Sequence, residues 1–143
     1  MQCEIIVAGF PEGEVIRAPA LVLAEPISFW GNVSPIDGRL LLSSQLKNRE
    51  RFISGSALFI RELRGSSSAS SVLLELVYRR LAPAAIILDS PDAILALGAI
   101  VGREMGWSIP PILRLPACAQ KRVPDGAQVL IAHTSISFSA GDS

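Results

Sequence analysis

Short apolar runs and two helical stripes divide the chain. Glu4-Ile5-Ile6-Val7-Ala8 is short, apolar and β-branched, which predicts a strand. Gly9-Phe10-Pro11-Glu12-Gly13 predicts a turn. Glu14-Val15-Ile16-Arg17-Ala18 alternates polar and apolar positions, as a half-buried strand does, and Leu21-Val22-Leu23-Ala24 suggests the next strand. Ser56 to Arg61 is another apolar, β-prone run. After it, Val72, Leu73, Leu76, Val77 and Leu81 recur at helical spacing, so a helix is expected over 67–81, closing before Pro83. Ala84-Ala85-Ile86-Ile87-Leu88 is apolar throughout and suits a buried parallel strand. Ser90 as N-cap with Pro91 at the first helical position predicts a helix of small residues over Ala93–Glu104. Ile112–Leu115 and Ala127–Ala132 complete the strands, the second after the Pro124-Asp125-Gly126 turn. The result is one α/β domain over 1–143. A β-rich N-terminal half is followed by β-α-β-α-β, with later strands partly parallel and residues 136–143 a loose tail.

Glu25 to Gly38 fits no element. Its Pro and Gly content marks a loop, yet it carries Phe29 and Trp30. Such a loop either plugs the core or closes over a site or a partner. Arg39-Leu40-Leu41-Leu42 could start a strand. Ser43 to Ser54, with Lys47-Asn48-Arg49-Glu50-Arg51, is expected to be a solvated loop.

Composition narrows the functional classes. Half the residues are hydrophobic and 18% are charged, enough for a full core and rather apolar for a chain standing alone. Lys plus Arg and Asp plus Glu both number 13, and no basic patch calls for nucleic acid. No apolar run reaches the length of a membrane span. Met1-Gln2-Cys3-Glu4 lacks the parts of a signal peptide, so a cytoplasmic location is expected. There are 2 cysteines, Cys3 and Cys118, with no CxxC, and 1 histidine, His133, inside an apolar run. A metal or cluster site made by this chain alone is not expected, since such sites usually take about four Cys or His ligands.

The stretch with chemical content is Arg64-Gly65-Ser66-Ser67-Ser68-Ala69-Ser70. It reads as strand, glycine turn and serine-rich helix start. Free N–H groups and the positive end of the helix then converge on a cluster of hydroxyls. Such a place can bind an anion or stabilise an ionised serine. It can equally be an ordinary serine cap or a solvated loop.

Four phrases, taken in order, resemble the small subunit, or swivelling domain, of the aconitase-X family. They are Glu25-Pro26-Ile27-Ser28-Phe29-Trp30-Gly31, Arg64-Gly65-Ser66-Ser67-Ser68, Ala82-Pro83-Ala84-Ala85-Ile86-Ile87 and Ala96-Leu97-Gly98-Ala99-Ile100-Val101. The likeness runs from about Gly9 to about Ile131. It implies an aconitase-like swivelling β/β/α domain and a hydro-lyase whose large partner subunit holds an iron centre or iron–sulfur cluster. It also implies that Ser66, the first serine after the glycine, is the base that removes a proton α to a carboxylate. Arg64, Gly65, Ser67 and Ser68 would then meet the substrate. Ordinary aconitases read Gly-Ser-Ser-Arg here, and their arginine holds a substrate carboxylate. Ser68 stands at that position in this chain, leaving Arg64 or the partner to take over. Asn32 and Ser34 stand where the family usually has Gly and Asp. The expected assembly is a heterodimer with the large subunit, acting on a small hydroxy acid, with no nucleic acid and no membrane. The favoured reaction is dehydration of cis-3-hydroxy-L-proline to Δ1-pyrroline-2-carboxylate. Mevalonate 5-phosphate as substrate, or a non-catalytic assembly domain, are the alternatives.

Overall fold

A computed structural model describes residues 1–10, 13–42 and 51–139. Residues 43–50 of the loop expected over 43–54, part of the turn at 11–12 and the end of the tail at 140–143 lie outside the described residues, while Ile53 of that loop is fully buried and not solvated. The strands are β1 (Glu4–Val7), β2 (Val15–Leu23), β3 (Ala57–Ile60), β4 (Ala85–Leu88), β5 (Ile112–Arg114), β6 (Gln128–Ala132) and β7 (Ser135–Ser139). The helical segments are α1 (Phe29–Asn32), α2 (Ala69–Tyr78), α3 (Ala93–Glu104) and α4 (Ala117–Gln120).

The strands form one seven-stranded sheet in the order β1-β5-β4-β3-β2-β6-β7. β2 to β5 pair in parallel, and the β3-α2-β4-α3-β5 run steps one strand at a time across the sheet. β1, β6 and β7 pair antiparallel. The sheet curls until its edges meet. Gln2 bridges Ser135, the Cys3 N–H donates to the Thr134 carbonyl at 2.9 Å, and the Ile136 N–H donates to the Met1 carbonyl at 2.8 Å. This closure removes the free edges that an open sheet would present.

Both faces of the central strands are buried, which explains their unbroken apolar sequence. Alternate residues divide between two cores. Ala57, Phe59, Ala85 and Ile87 point into the curl beside Cys3 and Ile136. Leu58, Ile60, Ile86 and Leu88 point outward under α2 and α3, packing with Leu73, Leu76, Leu95 and Ala99. The fully buried Gln120 ties the strand ends together. Its Nε2 donates to the Ile60 carbonyl at 3.2 Å and to the Leu115 carbonyl at 2.8 Å.

Several local expectations are corrected. The two strands expected over 14–18 and 21–24 are one, which changes partners along its length. Val15–Pro19 pairs with β6 and Ala20–Leu23 with β3. Pro19 sits at the handover, where β2 needs fewer ladder donors. Arg39–Leu42 forms only single bridges, Val33 to Leu40 and Arg39 to Phe52. The cap of α3 is Asp92, not Ser90: its Oδ1 accepts the Leu95 N–H at 2.8 Å. The tail expected over 136–143 is strand β7 as far as Ser139, because Ile136 is drawn into the inner core with no exposed surface. The short α4 has no counterpart among the expected elements.

Candidate active site

The expected site lies beyond the carboxyl end of β3, where ligands of parallel sheets tend to bind. Past Ile60, residues Glu62–Arg64 are held extended by the aromatic loop. Ile27 bridges Leu63, the Ile27 N–H donates to the Glu62 carbonyl at 3.1 Å, and the Arg64 N–H donates to the Ile27 carbonyl at 2.7 Å. The loop that the sequence singles out and the serine turn are therefore one unit.

Gly65 then leads into the turn. The Ser66 hydroxyl accepts the Ser68 N–H at 3.2 Å, and the Ser66 carbonyl accepts the Ala69 N–H at 3.1 Å. Ser68 has helical dihedrals and makes no capping bond with its side chain. Capping is thus done by Ser66, ahead of a tight first turn. Ser66 and Ser68 are half-buried, while Arg64, Gly65 and Ser67 are exposed. A hydroxyl oxygen that accepts an N–H at the positive end of a 10-residue helix is placed where negative charge is favoured. The same geometry is what a serine cap needs, so capping and catalysis are compatible roles here.

Beside the turn is a cleft of about 190 Å³ between the ends of β3 and β4, lined by Arg61, Glu62, Leu63, Asp89 and Asp92 among others. Asp89 is fixed by the Ala117 N–H, which donates to its Oδ1 at 2.7 Å, and its carbonyl accepts Nε of Arg114 at 2.9 Å. Asp92 is fixed by its cap bond, and its Oδ2 lies 3.6 Å from where a β-carbon on Gly65 would stand. From the sequence, Arg61 stands only among the basic residues nearest the turn, with Arg64, Arg79 and Arg80, and Asp92 only as part of a turn. The signal for Asp92 is a capping side chain three residues before Leu95, masked by the more familiar Ser-Pro pair. A larger cavity of about 650 Å³, lined by Tyr78, Arg80, Trp107 and their neighbours, lies at the other end of α2 and includes none of the serine-turn residues.

Among the described residues no group of three or more His, Cys, Asp and Glu side chains could hold a metal ion. Cys3 is buried in the inner core, where burial pushes its thiol up, while Cys118 is exposed on α4. His133 stands in the β6–β7 turn at φ 48°. The described residues therefore do not fit an iron centre. No described helix is long and apolar enough to cross a membrane.

Residues 1–138 match the family model of the aconitase X swivel domain. The chain is 45% identical over 111 residues to the cis-3-hydroxy-L-proline dehydratase of Pseudomonas aeruginosa, a match covering 73% of this chain and 17% of that protein. It is 34% identical over 131 residues to the phosphomevalonate dehydratase small subunit of Methanothrix thermoacetophila, covering 92% of this chain and 87% of that one. The fold superposes on Thermococcus kodakaraensis aconitase X (holo-form) with a TM-score of 0.76 at 24% identity, covering 96% of each chain. With the curled sheet, the paired helices on its outer face and these matches together, the chain belongs to the aconitase X swivel-domain family.

Proposed function

We propose that this chain is the small subunit of an aconitase-X-type dehydratase and that Ser66 is its base. The observation that carries this reading is the placement of Ser66, whose Oγ accepts a backbone N–H at the head of α2, within a chain whose relatives are named dehydratases. A free serine hydroxyl is far too weak an acid to serve as a base when ionised near neutrality. Fixed N–H donors lower that barrier because they need no reorganisation as charge develops. In the proposed step the substrate's Cα–H proton passes to Ser66 Oγ. The C–H electron pair becomes the new double bond, and the β-hydroxyl leaves with the electrons of its C–O bond. For cis-3-hydroxy-L-proline the product enamine tautomerises to Δ1-pyrroline-2-carboxylate. Arg64, Gly65, Ser67 and Ser68 are assigned to the substrate around the turn. Arg64 is exposed and free to swing toward a carboxylate, at the place where Ser68 cannot supply a cation.

An iron or iron–sulfur centre belongs, in this reading, to a large partner subunit. Two observations support such a partner. The chain spans only 17% of the Pseudomonas protein, and other relatives are themselves named small subunits. Trp30 and Ile36, both on the loop joined to the serine turn, are 66% and 70% exposed, and apolar surface of this kind is ordinarily covered.

The preferred substrate is cis-3-hydroxy-L-proline. The cleft beside the turn carries Glu62, Asp89 and Asp92 against Arg61, a field that disfavours a phosphate dianion. Arg79 and Arg80 stand at the far end of α2, where Arg79 is paired with Glu75 at 2.6 Å. Mevalonate 5-phosphate is the second reading, favoured by the greater length of the Methanothrix match. The test is co-purification with the large subunit and a dehydration assay on both substrates. Turnover of hydroxyproline that vanishes in Ser66→Ala supports the reading. Turnover of the phosphate ester alone selects the second substrate, and an assembled complex inactive on both leaves the assembly-domain role.

A further inference from the structure

Helix α3 and its cap Asp92 lie close to the serine turn on both sides of Ser66. Immediately before Ser66, Asp92 Oδ2 lies 3.6 Å from the place of a Gly65 β-carbon. One helical turn after it, a β-carbon on Gly98 would fall 3.0 Å from both Cα and the carbonyl oxygen of Ser70. We infer that Asp92 and Gly98 are positioning residues for Ser66: α3 is the bed that fixes where its Oγ stands. The inference rests on the reading of Ser66 as the base.

The bed is itself rigid. Asp92 is locked by the Leu95 N–H to its Oδ1 at 2.8 Å, and its carbonyl accepts the Ala96 N–H at 3.0 Å. Leu95 and Ala99, on the same helix, are fully buried in the outer core. Close-packed interiors shift in steps rather than yielding smoothly, so a displacement at Gly98 passes into the start of α2. Alanine at Gly98 meets backbone, which cannot rotate away, and Ser70 must give by a few tenths of an ångström. A base has to stand within a fraction of an ångström of its productive position, and a 1 Å misplacement can cost about a hundredfold in rate. The glycine in the Ala96–Val101 phrase thereby acquires a reason: only a residue without a β-carbon lets the two helices meet at Ser70.

Gly102 supplies an internal control. Its β-carbon would lie 3.0 Å from Cγ2 of Ile109, an equally tight contact on the same helix but against a side chain and away from the turn. With the assembled two-subunit enzyme, Gly98→Ala should lower kcat about tenfold. KM should stay within about twofold and the complex intact, while Gly102→Ala keeps kcat. Asp92→Ala should lower kcat, and Asp92→Asn should restore most of it, because asparagine caps a helix as well as aspartate and has its size. Equal kcat values for the Gly98 and Gly102 variants would overturn the inference. Should Gly98→Ala fail to fold, an Asp92→Asn enzyme no better than Asp92→Ala would overturn it instead. Ser66→Ala, run in parallel, separates the two levels. If it keeps turnover, the base assignment falls. If it abolishes turnover while Gly98→Ala does not lower it, only the positioning role falls.

Discussion

Phe29 and Trp30 are adjacent in the chain and opposite in environment: Phe29 has no exposed surface, and Trp30 keeps 66% of its own. The backbone parts them. Trp30 leaves the helical region at ψ 113°, and Gly31 takes φ 97°, a conformation that glycine adopts without steric cost. Phe29 therefore enters the outer core with Ile27, Val33 and Ile53, while Trp30 stays on the surface of the loop that holds the serine turn. The loop is a plug and a contact surface at once.

Phe29→Ala should cost about 3–5 kcal/mol, the range for emptying a buried aromatic site. Urea unfolding should show the loss as a lower midpoint with an unchanged slope. A loss under 1 kcal/mol would mean that the loop collapses into the gap, and that Phe29 does not anchor it.

Trp30→Ala should leave that midpoint nearly unchanged, since an exposed side chain contributes within about 0.5 kcal/mol. Its effect belongs in assembly. An aromatic buried at the centre of an interface commonly accounts for 2 kcal/mol or more, so affinity for the large subunit should fall about thirtyfold or more by titration calorimetry. Unchanged affinity would move the interface away from this loop.

Ser66→Ala should abolish turnover in the assembled enzyme, with an unperturbed complex. It also removes the oxygen that accepts the Ser68 N–H, so a stability loss of about 1 kcal/mol is expected beside the kinetic one. Ser66→Asp separates the two roles. Aspartate caps as well as serine and should recover the stability, but its carboxylate is a far weaker base than an alkoxide and its oxygens stand farther out than Ser66 Oγ, so it should not recover the rate.

Much of this fold is legible from periodicity. β3, β4 and α2 announce themselves because their buried residues are apolar without interruption or recur at helical spacing. What periodicity hides is partner choice and turn chemistry. β2 reads as two strands because Pro19 interrupts it, yet the interruption is where one strand passes from one neighbour to the other. β7 is concealed because its hairpin turns on His133 at φ 48°, and not on the Gly or Asn that usually marks such a turn. In the candidate site, Gly65 and the serines are local in sequence and legible as one turn. Asp92 joins them only through the packing of α3 on α2, which no local pattern carries.

A last prediction concerns acid. Arg51 clamps Asp125 through two bonds, Nη1 to Oδ2 at 2.9 Å and Nη2 to Oδ1 at 3.0 Å, and the Val22 N–H donates to the same Oδ1 at 3.0 Å. Burial pushes the Asp125 carboxyl up, but the bonds from Arg51 and Val22 outweigh it and hold the group below the usual carboxylate range. The folded protein thus binds this proton less tightly than the unfolded chain. The stabilisation is full above the unfolded value of about 3.9 and fades as pH falls through the lower folded value. Asp125→Asn keeps an oxygen for Val22 and for Nη2 of Arg51, and removes the charge together with the acceptor of Nη1. At pH 7 it should lower stability by about 1 kcal/mol, the upper end for a half-exposed pair screened by water. That corresponds to roughly 3 °C in Tm. The gap between the two proteins should narrow as pH falls below about 3.9 and close once pH is below the folded value. A gap of the same size there would mean that geometry at Val22, and not the charge on Asp125, holds residues 51–53 against the sheet.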